Sequence, residues 1–132
     1  MKITADTNIL VRAATQDDPV QGPIAAKLIK EAEVVAVAIP ALCEFCWVLR
    51  SVFDFTPARI GTSIRFLFEA DNVAMDRLAA EAGLALLEAG GDFADGVIAY
   101  DGQWLDGEIF VSFDKTAVKL LAAAGRKAIV PK

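Results

Sequence analysis

Five short stretches rich in β-branched or apolar residues, at 2–5, 34–39, 72–75, 108–112 and 128–130, are spaced along the chain, and apolar residues recur at helical spacing in each interval between them. This alternation constrains the fold more than any other feature. A strand that must pair in parallel with the next needs a crossover of a dozen or more residues, and a helix is the usual crossover. The pattern therefore predicts an α/β fold: a three-layer sandwich with a mostly parallel central sheet flanked by helices, in one domain spanning residues 1–132.

The elements can be placed from their ends. Residues 2–5 read as a strand, and Ile9, Leu10, Ala13 and Ala14 then follow helical spacing, so the chain turns at Asp6-Thr7-Asn8. Gln16-Asp17-Asp18-Pro19 is a turn signal, with Asp17 or Asp18 able to cap a second helix to about Ala32. Residues 34–39 form a continuous apolar run that suits a buried parallel strand. Pro40 fits the first turn of a helix to about Phe53, and Thr56-Pro57 starts another to about Phe68. Asp76 is placed to cap a helix that ends at Ala89-Gly90-Gly91; further helices are expected over 92–104 and 114–123, the latter stopped by Gly125.

Composition removes several function classes. The apolar fraction of 55% is high, yet no uninterrupted run approaches the ~20 residues of a membrane span. Met1-Lys2 leads directly into a strand without the apolar region of a signal peptide, which places the protein in the cytoplasm. A formal net charge of −5 argues against a broad basic surface that holds nucleic acid by counterion release. It leaves open an enzyme whose positive charge is supplied by cations on a group of acids. There is no His, so neither zinc–His ligation nor a His general base is available.

The acids are where such a site needs them. Asp6 follows the first strand, Glu44 lies one turn inside the helix after the second, Asp92 and Asp95 share a face at a helix start by their i, i+3 spacing, and Asp114 follows the strand at 108–112. In open α/β sheets, ligands collect at the carboxyl ends of strands, and these acids would project toward one such edge. Each alone is also a good helix cap, and capping is the bland reading of Asp6, Asp92 and Asp114. Together, several carboxylates would repel unless neutralised, and hard cations such as Mg²⁺ or Mn²⁺ take oxygen ligands. Such a set suits metal-assisted phosphodiester hydrolysis. Arg12, Arg50 and Lys115 lie near the acids in sequence and are candidates to hold phosphates. Cys43 and Cys46 have C-x-x-C spacing, but within an amphipathic helix they read as buried small apolar residues. Trp47 and Trp104 read as core or interface anchors.

Asp6-Thr7-Asn8 after an N-terminal strand, Glu44 after Pro40, the block from Gly91 to Ala99 and the late Phe113-Asp114 together resemble the PIN-domain ribonucleases, and within them the VapC-type toxins of bacterial toxin–antitoxin pairs. The resemblance runs through the whole chain in order. It implies a metal-dependent endoribonuclease in which Asp6, Glu44, Asp95 and Asp114 are the catalytic, metal-binding acids, with Asn8, Asp92 and Ser112 supporting them and Mg²⁺ or Mn²⁺ as cofactor. It also implies an RNA substrate and an antitoxin protein as partner. One departure is Gly96, where such proteins commonly carry Ala. Independently, the helices over 40–68 hold Phe45, Trp47, Phe53, Phe55, Phe66 and Phe68, more large apolar surface than one side of a sheet can bury, which predicts a homodimer face or a groove for a partner helix.

Two other classes compete. A phospho-acceptor receiver domain would use Asp76 and Lys115, but receivers carry adjacent acids at the first strand and here Asp6 is followed by Thr7. An Asp-nucleophile phosphohydrolase would use Asp6, but Asn8 stands where its general acid should be.

Overall fold

Lys2–Thr4 (β1) runs parallel to Val34–Ala36 (β2), with Ile3 opposite Val35, and β2 runs parallel to Val73–Ala74 (β3), with Val35 opposite Val73, in a computed structural model that describes residues 1–132. β2 is the central strand, which accounts for its unbroken apolar run: Val35 and Val37 are buried. The expected strand at 34–39 is shorter in the structure. Its ladder continues only to the Val37 N–H, which donates to Ala74, and Ile39 already starts a helix with Pro40 in its first turn.

Four helices make the crossovers of this sheet: Thr7–Thr15 (α1) and Gln21–Glu31 (α2) between β1 and β2, then Ile39–Ser51 (α3) and Pro57–Glu69 (α4) between β2 and β3. α1 packs on both α2 and α3, and α3 on α4. Leu42, Phe45, Cys46 and Leu49 form the buried stripe of α3, as their spacing requires. Thr56 caps α4 by accepting the Arg59 N–H. Asn72 ties the sheet to the end of α2 by donating to the carbonyls of Ile29 and Ala32, which would otherwise lack helical partners.

The chain resolves into two compact units, residues 1–77 and residues 78–132. The second contains nearly all of Arg77–Glu88 (α5), Phe93–Trp104 (α6), Lys115–Ala123 (α7), and the parallel pair Phe110–Val111 (β4) and Ala128–Ile129 (β5), with Phe110 opposite Ala128. α7 is the crossover of this pair. Leu86, Ala99 and Leu121 are buried together, and Phe110, Leu120 and Ala128 pack against them. Arg126 donates to the Ala99 carbonyl and so ties the approach to β5 to α6. The molecule is thus α/β, with seven helices, a three-stranded parallel sheet and a two-stranded one. No helix is long and apolar enough to cross a membrane.

The aromatic surplus of α3 and α4 is narrower than the sequence suggests. Phe45 and Phe55 are buried, Phe53 and Phe68 are half-buried, and the large side chains left on the surface are Trp47 at 63% exposure and Phe66 at 70%. Arg59 covers the Phe55 ring at 3.8 Å, and Arg77 the Phe68 ring at 4.6 Å, cation–π contacts that shield two of the six rings. Trp104 is exposed as well, so neither tryptophan anchors a core.

Candidate metal centre

In the first unit, β1 and β2 are register-paired neighbours, so Asp6 and the helix carrying Glu44 both leave the sheet at its carboxyl edge. Asp6 is the N-cap of α1: its Oδ1 accepts the Thr7 N–H at 2.8 Å, which leaves Oδ2 without a protein donor. Thr7 itself is turned onto the buried face of α1 with Leu10 and Val11, which fixes the rotation of the helix and brings Asn8 to the surface. Glu44 is exposed on α3, away from the buried stripe, and makes neither a hydrogen bond nor an ion pair. Asp76, the acid a receiver would use, follows β3 and is exposed.

The other candidate acids belong to the second unit. Asp92 caps α6, its Oδ1 accepting the Ala94 N–H at 3.2 Å. Asp114 caps α7 more fully, with Oδ1 accepting from Thr116 at 3.0 Å and Ala117 at 3.1 Å. Ser112 orients that cap, because its Oγ accepts the Asp114 N–H at 3.0 Å. Both aspartates spend one oxygen on the backbone and keep the other available, so capping and ligation do not exclude each other. Asp95, half-buried in the first turn of α6, has no hydrogen-bond donor. Its carboxyl is held above the ordinary value of 3.8, first by burial and then by the charges of Asp92 and Asp114.

Asp92, Asp95 and Asp114 lie near enough to repel, and no base and no donor aimed at Asp95 relieves them. In donor chemistry, with all-oxygen ligands and excess negative charge, they fit a hard divalent cation. No three His, Cys, Asp or Glu side chains of the structure are arranged around a common point at metal-holding distances.

The basic residues behave otherwise than expected. Arg12 does not stand ready for phosphate: its Nη1 bonds both carboxylate oxygens of Asp17, at 3.1 and 3.0 Å, and its Nε donates to Gln21. Thr15 also donates to Asp17, at 2.7 Å. Asp18, next in the chain, accepts the N–H groups of Val20 and Gln21 in the turn before α2. The N-cap position of α2 is Val20, which has no side-chain cap bond, so the cap expected from Asp17 or Asp18 is a turn bond one step earlier. Arg50 and Lys115 are exposed. Of the two cysteines, neither of which is in a disulfide, Cys46 is buried as expected and Cys43 only half so.

Sequence reasoning missed how one set of residues around the acids packs together. Gly83, Phe93 and Gly96 are buried where α5 meets α6, and a Cβ on either glycine would overlap its neighbours. The available signal was a glycine in each of two helix interiors, which costs about 1 kcal/mol in propensity and so usually has a packing reason. At Gly96 the added carbon would lie 2.5 Å from the Ala82 carbonyl oxygen, so the close approach of the two helices leaves no room for a side chain there.

Comparison with known proteins adds no relative: no family model, no curated protein and no solved structure matches the chain.

Proposed function

We propose that the protein is a divalent-metal-dependent endoribonuclease of PIN type, the toxin of a toxin–antitoxin pair. The single observation that carries the reading is the half-burial of Asp95 beside the charges of Asp92 and Asp114, without a base or donor to relieve it. A protein with no use for such a group would gain stability by replacing one of the acids, so an uncompensated group is an expected mark of function.

In this reading Asp6, Glu44, Asp95 and Asp114 hold Mg²⁺ or Mn²⁺. When bound, such a cation supplies an activated water and offsets the charge of the scissile phosphate. The chain's own residues do the rest. Asp6 and Asp114 offer their uncapped oxygens from fixed helix starts, Ser112 fixes the backbone of Asp114, Asp92 adds negative charge beside Asp95, and Asn8 is a surface amide one residue past the first turn's entry. Arg50 and Lys115 remain as candidate phosphate contacts, while Arg12 leaves that list because Asp17 occupies it. The three-layer sandwich and a cytoplasmic location belong to the same proposal. So does association through Trp47 and Phe66, as a homodimer or with the antitoxin.

The test is cleavage of a defined RNA by the purified chain with Mg²⁺, with Mn²⁺ and with chelator, alongside Asp6→Asn and Asp95→Asn. Cleavage that requires metal and is lost in both variants supports the reading. Full cleavage by Asp6→Asn at saturating Mg²⁺ contradicts it.

A further inference from the structure

The first turn of α6 is pinned by a contact that no catalytic role requires. Phe93 directly follows the cap Asp92, is fully buried, and lies flat against Gly83 of α5: a Cβ at 83 would sit 2.8 Å from Cε2 and 2.9 Å from Cδ2 and Cζ of the ring. One turn on, Gly96 lies against the same helix, its missing Cβ 2.5 Å from the Ala82 oxygen, 2.9 Å from Gly83 Cα and 3.0 Å from Leu86 Cβ. Residues 93 and 96 share a helix face, and Asp92 and Asp95 share the adjacent one, about 100° round the axis. The depth at which α6 seats on α5 therefore sets where both carboxylates stand.

We propose that Gly83 and Phe93 are positioning residues for metal binding by Asp95, with its supporting neighbour Asp92, acting as a matched pair in which an absent side chain on α5 receives the ring that fixes the start of α6. The inference rests on the metal reading above and extends it to residues that touch no ligand. An added methyl at 83 would force the ring to retreat by roughly half an ångström to reach ordinary contact. That is the tolerance within which a ligand constellation has to be held, so the acids leave register even though the fold survives. Gly102, on the same helix, has nothing within 4 Å of its Cβ position and supplies the silent comparison.

The experiment is a Mn²⁺ titration of the full chain, followed by calorimetry, for wild type, Gly83→Ala, Phe93→Leu and the double variant. Gly102→Ala serves as a silent control. Leu121→Ala serves as a control that weakens the core of the same unit where α7 meets Leu86 and Ala99, leaving Gly83 and Phe93 themselves unaltered. We expect each single variant to bind Mn²⁺ at least ~10-fold more weakly, the range in which residues supporting metal ligands act. The double variant should recover most of the loss, because the added methyl fills the space the ring gives up, and Gly102→Ala and Leu121→Ala should bind as wild type. Should Gly83→Ala fail to fold, Phe93→Leu decides alone. Wild-type affinity in the single variants, an equal loss in Leu121→Ala, or no recovery in the double variant overturns the positioning role while leaving the metal reading in place. A wild-type chain that binds no Mn²⁺ overturns the metal reading and the positioning role with it.

Discussion

Two acidic stretches of this molecule are treated in opposite ways. At the turn between α1 and α2, every acid has a partner: Asp17 takes Arg12 and Thr15, and Asp18 takes two backbone N–H groups. Around the starts of α6 and α7, Asp95 is half-buried within reach of the charges of Asp92 and Asp114 and has no donor at all. The carboxyls register the difference. Asp17 is held below the ordinary value of 3.8, first by the Thr15 hydroxyl and further by Arg12, and Asp18 is held below it by the Gln21 and Val20 N–H groups. Asp95 is held above it. Acids that serve the fold are neutralised by the fold; acids left to repel need something from outside it.

The largest expected effect separates the two stretches by activity. Asp95→Asn should reduce metal-dependent RNA cleavage by more than ~100-fold, beyond the range seen for residues that merely support a ligand. Asp17→Asn, in the satisfied stretch, should cleave as wild type. RNA cleavage rates at saturating Mg²⁺ check both, and equal losses would erase the distinction.

Next in size is the response of stability to metal. A ligand that binds only the folded state at 100 times its Kd stabilises by about 2.7 kcal/mol, so Mn²⁺ should raise the melting temperature of wild type and of Asp18→Asn alike. It should leave Asp95→Asn nearly unmoved. Thermal melts with and without Mn²⁺ read this directly.

Smaller again is an exchange of packing for propensity. Gly96→Ala gains helix propensity but drives a carbon against the Ala82 carbonyl, and overpacking of that kind costs about 1–3 kcal/mol. Gly102→Ala meets nothing and should be neutral or stabilising by up to about 1 kcal/mol. Denaturant unfolding of both compares a glycine that the helix contact requires with one it does not.

The smallest effect is the dependence on pH without metal, and its sign differs between the stretches. Asp95 takes up its proton in the folded state first, so its repulsive cost is relieved as pH falls through its raised value, and relief is complete below 3.8. Asp17 and Asp18 stabilise above 3.8, and that contribution is lost as pH falls through their lowered values. Asp95→Asn should therefore be at least as stable as wild type near neutral pH and should lack the acid-side gain, while Asp18→Asn should lose less on acidification than wild type. Melting temperatures across the acid range check both.

Much of the scaffold was legible because it follows from periodicity. The twelve elements fall where apolar spacing and punctuation place them, and the shortfalls are at strand ends, which depend on a partner strand that the local sequence does not reveal: residues 34–39 read as one strand, but the ladder ends near Val37 because β3 is only two residues long. The caps Asp6, Asp92 and Asp114 were legible for the same local reason. What escaped was set by contacts between elements. The capture of Arg12 by Asp17 depends on how the chain turns after α1, and the seating of Phe93 on Gly83 joins residues ten apart through the crossing of two helices. Crowding at Asp95 depends on Asp114, a residue from a different helix, and is likewise a tertiary fact.

The most direct measurement is a calorimetric titration of Mn²⁺ into metal-free protein, comparing wild type, Asp95→Asn and Asp17→Asn. We expect wild type and Asp17→Asn to bind with the same affinity, and Asp95→Asn to bind at least ~100-fold more weakly or not at all. Equal binding by all three would contradict the claim that the acids at the starts of α6 and α7, and not those at the α1–α2 turn, are held open for a cation.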